Sequence, residues 1–259
     1  MKRAILLSVC LLGMAMTYAQ NSFYVSLGIG AGINTARTYD LYQDGDKVHP
    51  VGLGKSFGPA IRAGVFLNDF IAVELGVVYR MGINTKVNVA TSTSSGWDKF
   101  KGNMLQLVPA VVIQPDFDLG SVSPYARVGV LIGVLPSITC NFDVTRAGTE
   151  RVGTLRYTGG VAVGGSAALG CDIDITDMLS LYVELSYDAM AYAPTKGKLV
   201  KYTENGADKL GDLSTQDKET KFVKDISGFV ADPNSPDQQL KNSYPFNNFA
   251  LNFGVKISL

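Results

Sequence analysis

Apolar residues recur at every second position in eight separate stretches of this chain, and this alternation limits its possible folds more than any other feature. In residues 23–33 the odd positions hold Phe, Val, Leu, Ile and Ala, while the even positions hold Tyr, Ser and Gly. A two-residue period gives a β-strand one apolar face, whereas a helix needs a period of 3.6 residues. The other stretches span residues 59–67, 71–83, 105–113, 124–134, 161–173, 179–189 and 249–259. The sequence therefore predicts eight strands and an all-β fold.

The connections between these strands alternate between short and long. Short turns are predicted at Asn68–Asp69, near 116–121 and near 174–177, where Asn, Asp, Gly and Ser are concentrated. Long connections fall at about residues 35–57, 84–103, 135–159 and 193–244. This arrangement predicts an antiparallel up-and-down β-barrel with the short turns and both termini of the barrel domain at one end.

The direction of the apolar face decides between two kinds of eight-stranded barrel. A soluble ligand-binding barrel has apolar residues inside, whereas a membrane barrel has them outside. The apolar face carries no charged residue and mostly branched or aromatic side chains, while the opposite face is rich in glycine. An eight-stranded lumen is just wide enough for side chains to fill it, so the bulky set does not fit inside. We predict a transmembrane barrel whose apolar face contacts lipid.

Charged residues on the opposite face then point into the lumen. Four are basic and four are acidic: Arg62, Arg80, Arg127, Lys256, Glu74, Asp172, Glu184 and Asp188. One interpretation is a gate or an ion path. The other is a structural plug of ion pairs, because isolated charges in a narrow, partly dry lumen are costly. The equal number of each sign favours the plug.

The first 19 residues have the features of a secretory signal peptide. Lys2 and Arg3 precede the apolar run Ala4–Ala15, and small residues flank the expected cleavage after Ala19. The predicted barrel domain is then residues 20–259. Cys140 and Cys171 remain after cleavage, and their strands place them at different heights in the wall, so we predict two free thiols.

Three segments carry a family resemblance: Phe23-Tyr24-Val25-Ser26-Leu27-Gly28, Ser123-Pro124-Tyr125-Ala126 and Asn252-Phe253-Gly254-Val255-Lys256-Ile257-Ser258-Leu259. With them the chain resembles the eight-stranded outer-membrane β-barrel family of Gram-negative bacteria, the OmpA-transmembrane-domain-like or porin-family group. The resemblance implies an outer-membrane location, contact with outer-membrane lipid and the barrel-assembly machinery, periplasmic termini and extracellular long loops. It implies no particular activity.

Composition excludes several classes of protein. With 46% hydrophobic and 18% charged residues the chain is not disordered, and its 23 Lys and Arg against 23 Asp and Glu give no support for nucleic-acid binding. The only histidine, His49, lies near Asp44 and Asp46 in the first long connection, and we interpret it as an exposed loop residue. We predict no catalytic site, metal site or cofactor.

The fourth long connection, residues 193–244, holds eight Lys and eight Asp or Glu. We predict a hairpin around Asn205–Gly206, a helix N-cap at Ser214 and helical spacing over residues 217–229. The segment is either a recognition element for an extracellular ligand or surface partner, or a solvated loop packed on the barrel rim. The sequence thus favours a structural or surface-interaction role, with a small-solute or low-conductance channel as the alternative and a barrel-embedded enzyme third.

Overall fold

The computed structural model describes residues 23–38, 43–44, 47–48, 51–90, 93–117 and 119–259. The predicted signal peptide, His49 and Asp46 lie outside these residues. The described part of the chain contains the following elements: β1 (Phe23–Asn34), β2 (Gln43–Asp44), β3 (Lys47–Val48), β4 (Ser56–Asn68), β5 (Ile71–Gly82), β6 (Thr85–Ala90), β7 (Ser94–Ile113), β8 (Val122–Arg146), β9 (Thr149–Thr158), β10 (Ala162–Thr176), β11 (Leu179–Tyr192), β12 (Lys196–Glu204), β13 (Ala207–Asp208), α1 (Thr215–Lys218), β14 (Glu219–Val223), β15 (Asp237–Leu240), β16 (Tyr244–Pro245) and β17 (Asn248–Ser258).

Eight long strands close into one antiparallel barrel. Going round the wall, β1 is followed by β4, β5, β7, β8, β10, β11 and β17, and β17 pairs with β1 again. This last pairing runs from Tyr24 opposite Ser258 to Asn34 opposite Asn248, so the first and last strands close the wall over most of its height. The predicted eight-stranded up-and-down barrel is confirmed.

Apolar side chains lie on the outer face of the wall and charged side chains on the inner face, as the alternation predicts. Outward apolar side chains are strongly exposed, for example Leu27 at 59% and Val128 at 63%. Inward charged side chains such as Arg62 and Glu184 are buried. The barrel is therefore apolar outside and polar inside, the reverse of a soluble globule.

The short turns lie together at one end, which we call the turn end. Asn68 Oδ1 accepts hydrogen bonds from the backbone N–H groups of Phe70 and Ile71, each at 2.9 Å. Thr176 Oγ1 accepts from the backbone N–H groups of Met178 and Leu179 at 3.3 and 3.1 Å. In both turns a side-chain oxygen satisfies the backbone donors that the tight reversal leaves unpaired.

At the opposite end, the loop end, the predicted long connections contain far more strand than the sequence indicates. The segment 84–103 forms β6 and the first half of β7, and the segment 135–159 forms the end of β8 and β9. Together with β12, β14 and β15 they build one sheet, in the order β6-β7-β8-β9-β12-β14-β15, which continues the wall beyond the barrel. We call it the loop-side sheet.

Of the three features predicted for the fourth connection, the hairpin and the N-cap are confirmed and the helix is wrong. The hairpin turns at Asn205 and Gly206, both with positive φ, and Ser214 caps α1 in a reciprocal capping box with Asp217. The predicted helix over 217–229 is wrong, because α1 ends at Lys218 and the chain continues as β14. Pairing of β14 with both β12 and β15, and the packing of Phe222 on Tyr157 at 5.6 Å, override the helical spacing.

Cys140 and Cys171 are both free, as predicted. Cys171 pairs with Pro124 near the turn end, whereas Cys140 pairs with Phe100 in the loop-side sheet. No helix in the described segments has the length and apolar character needed to cross a bilayer.

Candidate functional site: the barrel lumen

The centre of the lumen is Glu184 on β11, whose side chain has no solvent exposure. Its carboxylate accepts two hydrogen bonds from Arg62, at 3.1 and 2.9 Å, and two from Arg127, at 3.0 and 2.7 Å. Tyr125 Oη at 3.2 Å and Asn252 Nδ2 at 3.1 Å donate to the same group. One carboxylate thus orients two bidentate guanidinium groups from β4 and β8, the strongest kind of charged hydrogen bond in proteins.

Glu74 on β5 stands beside this centre. Its Oε2 accepts a hydrogen bond from Tyr24 Oη at 2.9 Å, and its Oε1 lies 3.9 Å from Arg127 Nε. That Oε1 has no hydrogen-bond partner among the described residues. Two arginines and two glutamates therefore occupy the middle of the lumen, and their charges cancel.

Two further ion pairs flank the centre. Towards the turn end, Lys256 Nζ donates to Asp172 Oδ2 at 2.6 Å. Towards the loop end, Arg80 Nη2 donates to Asp188 Oδ2 at 2.9 Å, and Arg80 Nε donates to Gln106 Oε1 at 3.3 Å. All eight charged residues singled out in the sequence therefore lie in the lumen and belong to ion pairs. We call these eight residues the lumen cluster.

The glycines of the inner face make room for tyrosine rings of the lumen. A Cβ built on Gly170 would lie 2.6 Å from Tyr125 Cζ, and one on Gly254 would lie 2.7 Å from Tyr182 Cε1. In each case the ring lies over the glycine directly opposite on the neighbouring strand. The cross-strand pairs are Tyr24 with Gly64, Tyr125 with Gly170 and Tyr182 with Gly254.

An apolar layer that the sequence predictions do not include closes the lumen on its loop side. Met104 and Met190 enter it from the barrel strands, and their inward parity is a signal that could have found them. Val51, Leu53 and Phe246 enter it from connections and are at most 5% exposed. These three have no periodic signal, so nothing in their local sequence marks them as lumen residues.

The inner face of the loop-side sheet extends this apolar layer and includes one acid. Asp98 on β7 is 7% exposed and stands opposite Val87 and Phe142 on the neighbouring strands. Burial raises the pKa of Asp98 to about 6. Burial, together with the charge of Asp98, raises the pKa of the Cys140 thiol to about 12, so this thiol is a poor nucleophile.

Open space is distributed very unevenly along the barrel axis. At the turn end a cavity of about 840 Å³ reaches inwards to Asp172 and Lys256, and Gln114, which donates to Asp172 at 3.2 Å, lies in its wall. Further along the axis, three cavities among the residues of the lumen cluster and the apolar layer measure only about 20, 10 and 10 Å³. A single water molecule needs a cavity of about 10 to 15 Å³. No group of His, Cys, Asp or Glu among the described residues is arranged to hold a metal ion.

Comparison with known proteins matches this geometry to a family. The model of the outer membrane protein beta-barrel domain matches residues 4–217, most of the chain. The chain belongs to this family. It is thus a transmembrane β-barrel protein of the outer membrane, and that architecture is typical of Gram-negative bacteria. No curated protein matches the chain.

Solved structures with a similar fold include three outer-membrane proteins. Neisserial surface protein A is 14% identical, with 91% of this chain and 96% of that one covered and a TM-score of 0.40. Ail, the attachment invasion locus protein of Yersinia pestis, is 10% identical, with 92% and 100% covered and a TM-score of 0.37. The outer membrane protein OprG from Pseudomonas aeruginosa is 13% identical, with 92% and 96% covered and a TM-score of 0.45.

Proposed function

We propose that this protein is a closed outer-membrane barrel with a structural or surface-interaction role, carried by the loop-side sheet and the segment 193–244. The proposed role is non-enzymatic and needs no cofactor. The observation that supports it is the filling of the lumen at two levels, by the lumen cluster and by the apolar layer. The channel alternative requires a continuous wet path, whereas each of the three cavities among the residues of the lumen cluster and the apolar layer holds about one water molecule.

The proposal includes a placement in the membrane. The exposed apolar belt contacts outer-membrane lipid, the turn end and both termini of the barrel domain face the periplasm, and the loop end is extracellular. Assembly in this orientation would use the barrel-assembly machinery. The difference between the two ends supports this placement. The loop end has long connections with added strands and offers a large polar surface to a partner, whereas the turn end has only short turns.

Conductance in planar bilayers tests the closed lumen. The wild-type protein should give no stable current. A variant shortened at both levels, with Met104→Ala and Phe246→Ala in the apolar layer and Arg62→Ala and Glu184→Ala in the lumen cluster, serves as a positive control; once its folding is verified by heat-modified gel mobility, it should leak. A steady wild-type current would refute the plug and establish the channel alternative.

Proteolysis of whole cells tests the orientation. Lys209, Lys224 and Lys241 are exposed and lie outside the strands, which makes them preferred sites for trypsin. Trypsin added to intact cells should cleave after these residues and leave the barrel strands protected. Cleavage only after the cells are opened would place the loop end in the periplasm.

A further inference from the structure

The loop-side sheet has two chemically different faces. Its inner face carries Phe100, Ile138 and Phe222, which are buried over the barrel mouth. Its outer face is a direct continuation of the apolar belt, because β7 runs unbroken from Leu105 in the belt to Lys101 in the sheet. The outer face therefore begins where the apolar belt ends.

Basic side chains dominate the part of this outer face that lies nearest the belt. Residues that are directly opposite each other on neighbouring strands point to the same side, so the strand register defines rows across the face. Three rows follow the belt in order: Asn103, Ser137, Thr158, Lys196 and Lys221; then Lys101, Thr139, Arg156, Lys198 and Glu219; then Lys86, Lys99, Asn141, Thr154 and Lys201. We call these three rows the basic face.

The charge of the basic face is unbalanced. It holds eight of the chain's 23 Lys and Arg residues, although the whole chain has a formal net charge of zero. Within the rows the single carboxylate is Glu219, which accepts from Lys198 at 2.7 Å. That hydrogen bond from Lys198 lowers the pKa of Glu219, so the pair stays ionised and neutralises only one of the eight positive charges. The remaining positions are hydroxyl and amide side chains, which donate well to phosphate oxygens.

The basic face begins in the headgroup layer of a bilayer and extends beyond it. Strands rise about 3.3 Å per residue, so the row of Asn103 lies about 7 Å along β7 from Leu105, and the row of Lys99 about 20 Å. A strand tilt of about 45° reduces these distances to roughly 5 and 14 Å along the membrane normal. The headgroup region extends about 5 to 8 Å beyond the hydrocarbon on each side. The first row therefore stands beside the headgroup phosphates of an ordinary lipid. The second and third rows, roughly 9 and 14 Å above the belt, face headgroups that project further, such as the phosphorylated sugars of a glycolipid.

We propose that the basic face binds the phosphorylated headgroups of glycolipids in the leaflet at the loop end of the barrel. The occupant is a membrane lipid rather than a soluble polyanion, because the face points sideways from the wall and continues its lipid-contacting belt. The site covers one sector of the barrel, on β7, β8 and the strands added to them. This inference depends on the proposed contact of the belt with lipid and on the loop end facing the glycolipid leaflet, but not on the closed lumen.

The chain contains its own reporter for this binding. Trp97 is the only tryptophan, and it lies on the same side of β7 as Lys99, two residues further from the belt. Lys99 Nζ is 4.1 Å and Lys86 Nζ is 6.0 Å from the centre of its ring. A phosphate that recruits these ammonium groups would draw them away from the ring and change the emission of Trp97.

The experiment titrates the folded protein, in micelles of a zwitterionic detergent, with lipid A and follows Trp97 emission. Dephosphorylated lipid A is the matched ligand control. The test variant combines Lys101→Gln, Arg156→Gln and Lys198→Gln, and the control variant combines Lys209→Gln, Lys224→Gln and Lys241→Gln, which removes the same charge from exposed sites elsewhere. Heat-modified gel mobility verifies that every variant is folded.

The wild-type protein and the control variant should show a saturable change in Trp97 emission with phosphorylated lipid A only. A basic residue near an anionic surface typically strengthens binding about fivefold, so the test variant should bind about 100-fold more weakly. Equal binding by the test variant, or by dephosphorylated lipid A, would overturn the proposal. Displacement of lipid A by an equal phosphate concentration of a soluble polyphosphate would overturn the lipid assignment in favour of a soluble polyanion. Because the assay uses micelles, its failure is separable from the orientation and conductance results.

Discussion

Removing the carboxylate at position 184 should destabilise the barrel more than any other single change in the lumen. In Glu184→Ala, Arg62 and Arg127 lose four charged hydrogen bonds and keep only Glu74 as a nearby counter-charge. Breaking a buried ion pair from one side costs about 3 to 5 kcal/mol, because the partner charge remains buried. We expect a loss of that size in the free energy of unfolding.

A double-mutant cycle separates this charge effect from the loss of side-chain volume. Adding Arg127→Met to Glu184→Ala leaves Arg62 and Glu74 as a neutral pair. The double variant should therefore be less destabilised than the sum of the two single variants, by about 1 to 3 kcal/mol. Additive effects would mean that the arginines do not depend on Glu184 for charge balance.

Urea titration in detergent, with folded and unfolded fractions separated on gels, measures these free energies. The surface pair provides the control. Glu219→Ala removes the carboxylate of an exposed pair with Lys198, and exposed ion pairs contribute little, so stability should hardly change. If Glu184→Ala lowered the free energy of unfolding by less than about 1 kcal/mol, the reasoning would be refuted. The buried ion pairs of Glu184 would then contribute no more to stability than an exposed ion pair.

Three other changes test the packing, the facing and the pH dependence. Gly170→Ala places a methyl group 2.6 Å from Tyr125 Cζ and should cost about 1 to 3 kcal/mol in urea titrations, whereas Gly165→Ala, with its nearest neighbour at 3.9 Å, should cost almost nothing. Val77→Arg puts a charge on the exposed belt halfway along β5 and should cost about 2 to 4 kcal/mol near the bilayer midplane; folding yields in lipid equal to those of the wild type would contradict the facing. The pKa of Asp98 rises from 3.8 to about 6 on folding, so the folded state binds the proton more tightly and stability should fall, by at most about 3 kcal/mol, as pH rises from about 4 to 6. Asp98→Asn should flatten that part of the stability profile, and an unchanged slope would exclude Asp98 as its source.

The strand alternation carries most of the information that the sequence holds about this fold. Because the two-residue period is so regular, it predicts both the number of barrel strands and the side of the wall on which Arg62 or Glu184 lies. It does not predict that these two residues meet. Arg62 on β4 and Glu184 on β11 come together across the lumen through the stagger of the closed wall, which no local pattern records.

The loop end shows where local patterns fail. Phe222 fits a helical spacing, yet pairing of β14 with two strands decides its conformation, because neighbouring strands satisfy the backbone of the whole segment. Val51 and Phe246 close the lumen from connections, and their burial depends on the barrel mouth beneath them. Residues whose surroundings come from distant strands cannot be recognised from their sequence neighbours.

The formal net charge of zero conceals a separation of charge by place. Inside the lumen, four basic and four acidic groups cancel, because an uncompensated charge is costly where little water can solvate it. Outside, an excess is tolerated, since solvent ions or ligands neutralise it. The cavity at the turn end is lined by Asp69, Asp116, Asp174 and Asp177, while the basic face carries eight cationic side chains near the loop end. The formal net charge of the whole chain sums these regions to zero. A net charge of zero is therefore compatible with local recognition of anions. The register of the loop-side sheet, which only the folded chain provides, is what brings the basic side chains together.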